Sequence, residues 1–242
     1  MANKRLNRSG GTACLEMDSR SPPLRLAESF GKRRKHLSTS AIKRDPEIFI
    51  AFFGGAGDGP GMFNSQIVES VASAGFDDPR QIGLGGASIS KESKYLEWSD
   101  AAFGSSKAKN LLAHISEKCL ATPVVIVAHS YGAEAAVRTI CKLKTTVAHL
   151  VTIDAVSWES KVGMNTKPSN VLEWTNIYVS GVHDFTDVIA FAGGQWKKRD
   201  GADRNIDAAQ IGKKSGVHIS HGTFLAMWRM ALPYVRKSLG LS

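Results

Sequence analysis

Cysteine is scarce, with Cys14, Cys119 and Cys141 the three in 242 residues, too far apart for a CxxC pair. That spacing argues against a disulfide framework and against a cysteine-based zinc site, and favours a reducing compartment. Isolated cysteines on apolar helix faces, such as Cys119 and Cys141, read as small buried hydrophobes. Long hydrophobic runs are also missing. The longest, Ile48 to Phe53 and Val124 to Ala128, fall far short of the roughly 20 residues that span a bilayer. No early apolar stretch has signal-peptide length, so a cytoplasmic location is the expectation.

Acidic residues are sparse at the N-terminus. Residues 1–45 carry eleven Lys/Arg against four Asp/Glu, a net +7 of the chain's +9. This stretch reads as a basic, flexible extension, able to touch an anionic surface such as a membrane or nucleic acid. The remainder, residues 46–242, reads as one domain. Hydrophobic residues at 43% and charged residues at 22% are ordinary values for a packed globular body.

Regular patterning begins just after Pro46. Residues 47–53 form an apolar run ending in glycines, as a strand buried on both faces would. A glycine-rich turn over Gly54–Gly61 follows, then a helical pattern carrying Phe63, Ile67, Val68 and Val71. Residues 81–85 read as a weaker strand. Ala108, Leu111, Leu112, Ile115 and Cys119 recur at helical spacing. Further strands are expected at 123–128, 149–153, 176–180 and 205–207, and a last helix carries Phe224, Trp228, Ala231, Leu232 and Val235. Strands alternating with helices imply an α/β fold, a mostly parallel sheet with helices on both faces.

The strand at 123–128 runs without a break into an Ala-rich helix, through Ala128-His-Ser-Tyr-Gly132. A serine at so sharp a strand-to-helix turn exposes its hydroxyl, and the residues two before and two after it must be small. Ala128 and Gly132 satisfy that demand. The segment resembles the G-x-S-x-G nucleophile elbow of the α/β-hydrolase superfamily, with Ala128 in place of the first glycine. The resemblance spans residues 47–238 and implies a compact version of the fold, lacking two early strands of larger members.

It also implies a Ser-His-Asp triad in the order nucleophile, acid, histidine. Ser130 would be the nucleophile. His221, followed by glycine and the last helix, is the preferred base, with His218 its competitor. Asp154, ending the strand at 149–153, is the preferred acid; Asp184 and Asp187 follow the next strand and compete. Two backbone N–H groups would form the oxyanion hole, one from Tyr131 and one from Gly55 or Ala56, with Gly55 the choice.

The implied activity is that of a lipase- or esterase-like serine hydrolase cleaving an ester, thioester or related acyl bond of a small or lipid-like substrate, with no cofactor. Two readings of other classes compete: a hydrolase-fold binding protein without catalysis, and a nucleic-acid-binding protein led by its basic tail. The glycine loop fails both nucleotide motifs. Pro60, Met62 or Asn64 stands where the dinucleotide fingerprint needs its last glycine, and Pro60 stands where a Walker lysine belongs. His218-x-x-His221 lacks a third ligand at recognisable spacing, so no metal is expected. Trp158, Trp174, Trp196 and Tyr178 are candidates for a pocket lining or for the core.

Overall fold

The computed structural model describes residues 47–55, 83–84, 88–90, 94–102, 106–119, 121–157 and 165–241. The basic extension, Ala56 and the rest of the glycine loop, the helical pattern at Phe63–Val71, and Trp158 lie outside these residues.

Seven strands are described: β1 (Glu47–Gly54), β2 (Ser88–Ile89), β3 (Lys94–Glu97), β4 (Val124–His129), β5 (Val147–Ile153), β6 (Val171–Tyr178) and β7 (Arg204–Asp207). They form a sheet in the order β2-β1-β4-β5-β6-β7, with every ladder parallel. β3 pairs with β1 beyond β2, along the last four residues of β1. The described helices are α1 (Trp98–Ala102), α2 (Ser106–Lys118), α3 (Gly132–Ile140), α4 (Phe185–Ala192), α5 (Ala208–Ser215) and α6 (Phe224–Ser238).

The apolar strands are continuous because both faces of the sheet are covered. Ile48, Ile50, Phe52, Val125, Val127, Val151 and Ile153 pack with Met227, Trp228, Ala231 and Val235 of α6. Their alternates, Phe49, Ala51, Phe53, Val124, Ile126, Ala128 and Leu150, pack on the other face with Leu111 and Ile115 of α2 and Ala135, Ala136 and Ile140 of α3. Trp174 and Trp196 are fully buried in that second layer, so they belong to the core. Tyr178, ending β6, is half-buried.

Several expectations need correction. Gly83 stands in a turn with φ +79 and Leu84 is not in a strand, so neither belongs to the strand expected at 81–85. The strand pairing along that edge comes instead from β2 and β3, too short and too polar to read as strands. β6 begins five residues earlier than expected, and α4 and α5 are helices beyond those expected. Cys119 is free and buried, and Cys141 packs, partly buried, against the second core layer.

Candidate active site

A strand that turns into a helix within two residues must bend its backbone sharply, and Ser130 takes that bend. It has φ +52, in the left-handed region that side chains disfavour by roughly 1–3 kcal/mol. Three backbone bonds hold it there: Ser130 N–H to Ile153 O at 3.1 Å, and Ala133 N–H and Val156 N–H to Ser130 O at 3.0 Å each. Gly132 is obligatory, because a Cβ there would collide with the carbonyl oxygens of Phe53 and Gly54. Ala128 is completely buried between β1 and β5, and its one methyl group fits. The Ser130 hydroxyl thus lies just ahead of the α3 N-terminus, where partial positive charge favours an anion.

Asp154 takes an equivalent bend at the end of β5, with φ +40. Ser130 and Asp154 are the two non-glycine residues with positive φ among the described residues. The Asp154 N–H bonds Ile177 O at 2.7 Å, which anchors the turn to β6. Its carboxylate has no solvent exposure. Oδ1 accepts Val179 N–H at 2.9 Å, and Gln195 Nε2 donates to Oδ1 at 2.8 Å and to Oδ2 at 3.0 Å.

His221 completes the chain. Its Nδ1 lies 2.7 Å from Asp154 Oδ2, and its Nε2 lies 3.1 Å from Ser130 Oγ. A carboxylate only accepts, so Nδ1 carries the proton and Nε2 is left to accept from the serine hydroxyl. Strands β4 and β5 are neighbours, which brings Ser130 beside Asp154; the loop between α5 and α6 lowers the imidazole onto both. The architecture is the expected one, an α/β fold with an all-parallel sheet covered by helices on both faces.

Solved structures similar to this chain include SOBER1 of Arabidopsis thaliana, at 13% identity and a TM-score of 0.43, covering 80% of this chain and 99% of that one. YbtT, a type II thioesterase from the yersiniabactin NRPS/PKS biosynthetic pathway, matches at 10% identity and a TM-score of 0.39, over 80% of this chain and 95% of its own. A Xanthomonas campestris pv. campestris protein assigned to the alpha/beta superfamily of hydrolases matches at 12% identity and a TM-score of 0.36, over 76% and 98%. No protein-family model matches the chain, and no curated protein sequence does.

The competing residues go elsewhere. Asp184 is the N-cap of α4, accepting the N–H groups of Thr186 at 2.8 Å and Asp187 at 3.3 Å. Burial works to raise its carboxyl pKa, but hydrogen bonds from Ser220, Thr186 and the Asp187 backbone outweigh this and hold it far below the usual carboxylate range. His218 sits on the surface with its Nε2 3.5 Å from Asp184 Oδ2. Asp187 is buried and meets the backbone of His221, not its ring.

Tyr131 follows Ser130 directly as the N-cap residue of α3. Gly55 is buried at the end of β1, whose Phe53 pairs with Ala128 of β4. Both oxyanion candidates therefore lie at the same carboxyl end of the sheet as the serine. Among the described residues, no group of three His, Cys, Asp or Glu is placed to hold a metal ion, and no helix is long and apolar enough to cross a membrane.

The sequence reading missed Gln195, which approaches the acid from an antiparallel bridge with Val156 and has no local pattern to betray it. It also missed His129, whose ring lies tilted against that of His221 with centroids 4.8 Å apart.

Proposed function

We propose that this chain is a serine hydrolase of an ester, thioester or related acyl bond, with Ser130, His221 and Asp154 as its triad. The observation that carries the proposal is the unbroken hydrogen-bond chain from Ser130 Oγ through the imidazole to a fully buried carboxylate. Ser130 Oγ attacks the carbonyl carbon while its proton passes to His221 Nε2. Asp154 keeps the imidazole's orientation and stabilises the imidazolium without taking its proton. The N–H groups of Tyr131 and Gly55 receive the oxyanion. Collapse expels the leaving group, which takes the proton from His221. Water then attacks the acyl-serine with His221 as base, releasing the acid and restoring the hydroxyl.

An apolar, lipase-like acyl group is supported by α4. Its Phe185, Val188 and Ile189 form an exposed stripe, with Phe185 71% accessible. The first turn of this helix is bonded to the histidine loop, because Thr186 Oγ1 accepts the Gly222 N–H at 3.1 Å. An exposed apolar stripe beside a reactive centre suits an acyl chain better than a charged substrate.

A fluorophosphonate probe tests the reading. It should label Ser130, identified by peptide mapping, and Ser130→Ala should be folded yet unlabelled. Full labelling of that variant would assign the reaction to another residue. A folded wild-type protein that resists the probe would favour the non-catalytic binding reading.

A further inference from the structure

His221 must hold two ring hydrogen bonds at once, yet its main chain lies in a turn, outside any helix or strand. Turn backbone drifts unless it is tied, and a drift of about 1 Å at a reacting group can cost roughly 100-fold in rate. Three bonds tie this turn. The His221 N–H donates to Asp187 Oδ1 at 2.7 Å. The His221 carbonyl accepts from His129 Nε2 at 3.1 Å, which places the proton of that ring on Nε2. Next along, Thr186 Oγ1 accepts the Gly222 N–H.

Asp187 is the unusual member. Its carboxylate is fully buried, and no ion pair to it is present among the described residues. Such a group is costly unless its oxygens are answered by donors. Oδ2 accepts the His183 N–H at 2.7 Å and the Asp184 N–H at 3.2 Å, which completes the capping box of α4. The cap explains Oδ2 only. Oδ1 is left for the His221 N–H. On the opposite side, His129 both bonds the His221 carbonyl and lies against its ring.

We infer that Asp187 and His129 are positioning residues, which clamp the main chain of His221 from both sides so that its imidazole meets Ser130 and Asp154 in a single orientation. The inference rests on the triad reading above. It also couples α4, the helix with the exposed apolar stripe, to the proposed catalytic histidine.

Asp187→Asn tests it. The amide oxygen goes where two N–H groups converge, at His183 and Asp184, which turns the amide NH2 against the His221 N–H, donor against donor. On a short soluble ester kcat should fall about 10- to 100-fold with KM within about twofold, since positioning is lost and binding is not. The low-field proton resonance of His221 Nδ1–H, identified by its loss in Asp154→Asn, should shift or broaden while far-UV circular dichroism is unchanged. His129→Phe keeps a ring against His221 but removes the donor to the His221 carbonyl, and should give the same signature. It decides the matter if Asp187→Asn does not fold. A folded variant of either kind that keeps wild-type kcat and the wild-type resonance, whatever its melting temperature, overturns the clamp. If wild-type protein is labelled and the variants match it, the clamp alone fails. If wild-type protein shows neither labelling nor the resonance, the triad reading fails and the clamp with it.

Discussion

Two aspartate–histidine pairs lie near the carboxyl end of this sheet, and they differ in almost every respect that chemistry cares about. Asp154 and His221 meet at 2.7 Å with the carboxylate sealed from solvent; Asp184 and His218 approach to 3.5 Å, with the His218 side chain 62% exposed. The cause is where each aspartate sits relative to regular structure. Asp154 is the residue directly after β5, so its backbone is anchored by β6 and its side chain has no helix of its own to serve. Asp184 opens α4, and its oxygens are claimed by that helix's orphan N–H groups. An acid that caps a helix has little capacity left to orient an imidazole. Nearness to a histidine in sequence therefore says less than the unmet demand around each carboxylate.

The sharpest way to break the comparison is to neutralise each acid in turn. Asp154→Asn should lower kcat by about 10⁴, the magnitude known for the serine-protease aspartate, because the imidazole takes the wrong tautomer. Asp184→Asn should keep near-normal turnover, since Asn caps a helix about as well as Asp. Steady-state kinetics on a soluble ester reads both, and the reverse ranking would exchange the two roles.

That contrast was half legible in the sequence. The elbow could be read because the small residues at Ala128 and Gly132 and the five-residue apolar strand leave few alternatives. The parallel sheet followed from strands buried on both faces. The resemblance favours Asp154, whereas the physical reason to set Asp184 aside is its D-x-x-D spacing to Asp187, a capping-box pattern. That pattern is hard to see because α4 does not have the sequence of a core-facing helix. Its stripe of Phe185, Val188 and Ile189 faces solvent while Asp187 and Ala190 are buried, the reverse of the amphipathic pattern that marks a core-facing helix. Gln195 and His129 were invisible for a different reason: their partners lie 41 and 92 residues away in the chain.

A third histidine separates burial from pairing. His149 in β5 is fully buried like the Asp154 carboxylate, but its ring nitrogens meet hydroxyls, Ser238 Oγ at 2.8 Å and Thr175 Oγ1 at 3.0 Å. Burial pushes its pKa down to about 4; Glu173 and Asp203 oppose the shift and Arg204 adds to it. The folded state thus resists a proton that the unfolded chain accepts near the ordinary value of about 6.5. The resulting stability is fully present above pH 6.5 and is lost as pH falls from there through about 4, up to about 3 kcal/mol. Denaturant midpoints at pH 7 and pH 4 measure it, and in His149→Leu the difference between the two should shrink by about that amount. An unchanged difference would mean that other groups control acid unfolding.

Smaller effects should come from the Asp184 side. Asp184→Ala removes the α4 cap and should cost about 1 kcal/mol of stability, within the usual range for an N-cap. Because α4 also carries Thr186 and Asp187, some loss of turnover is expected to accompany the loss of stability. Chemical denaturation followed by circular dichroism gives the first quantity, and kcat gives the second. A variant as stable as wild type would show that the Asp184 carboxylate contributes nothing to that turn.

The smallest effect is expected at His218. Its contact with Asp184 is long and exposed, and it is an ion pair only when the imidazole is protonated. Exposed pairs of this kind contribute about 0–1 kcal/mol, less in salt. His218→Gln should therefore change stability by no more than about 0.5 kcal/mol. It should leave both kcat and fluorophosphonate labelling unchanged. His221→Gln, three residues on, should abolish labelling, because Ser130 then has no base. Loss of labelling in His218→Gln with retention in His221→Gln would invert the comparison and make the exposed pair the working one. Equal loss in both would mean that the loop between α5 and α6 acts as a unit, with His218 holding its shape.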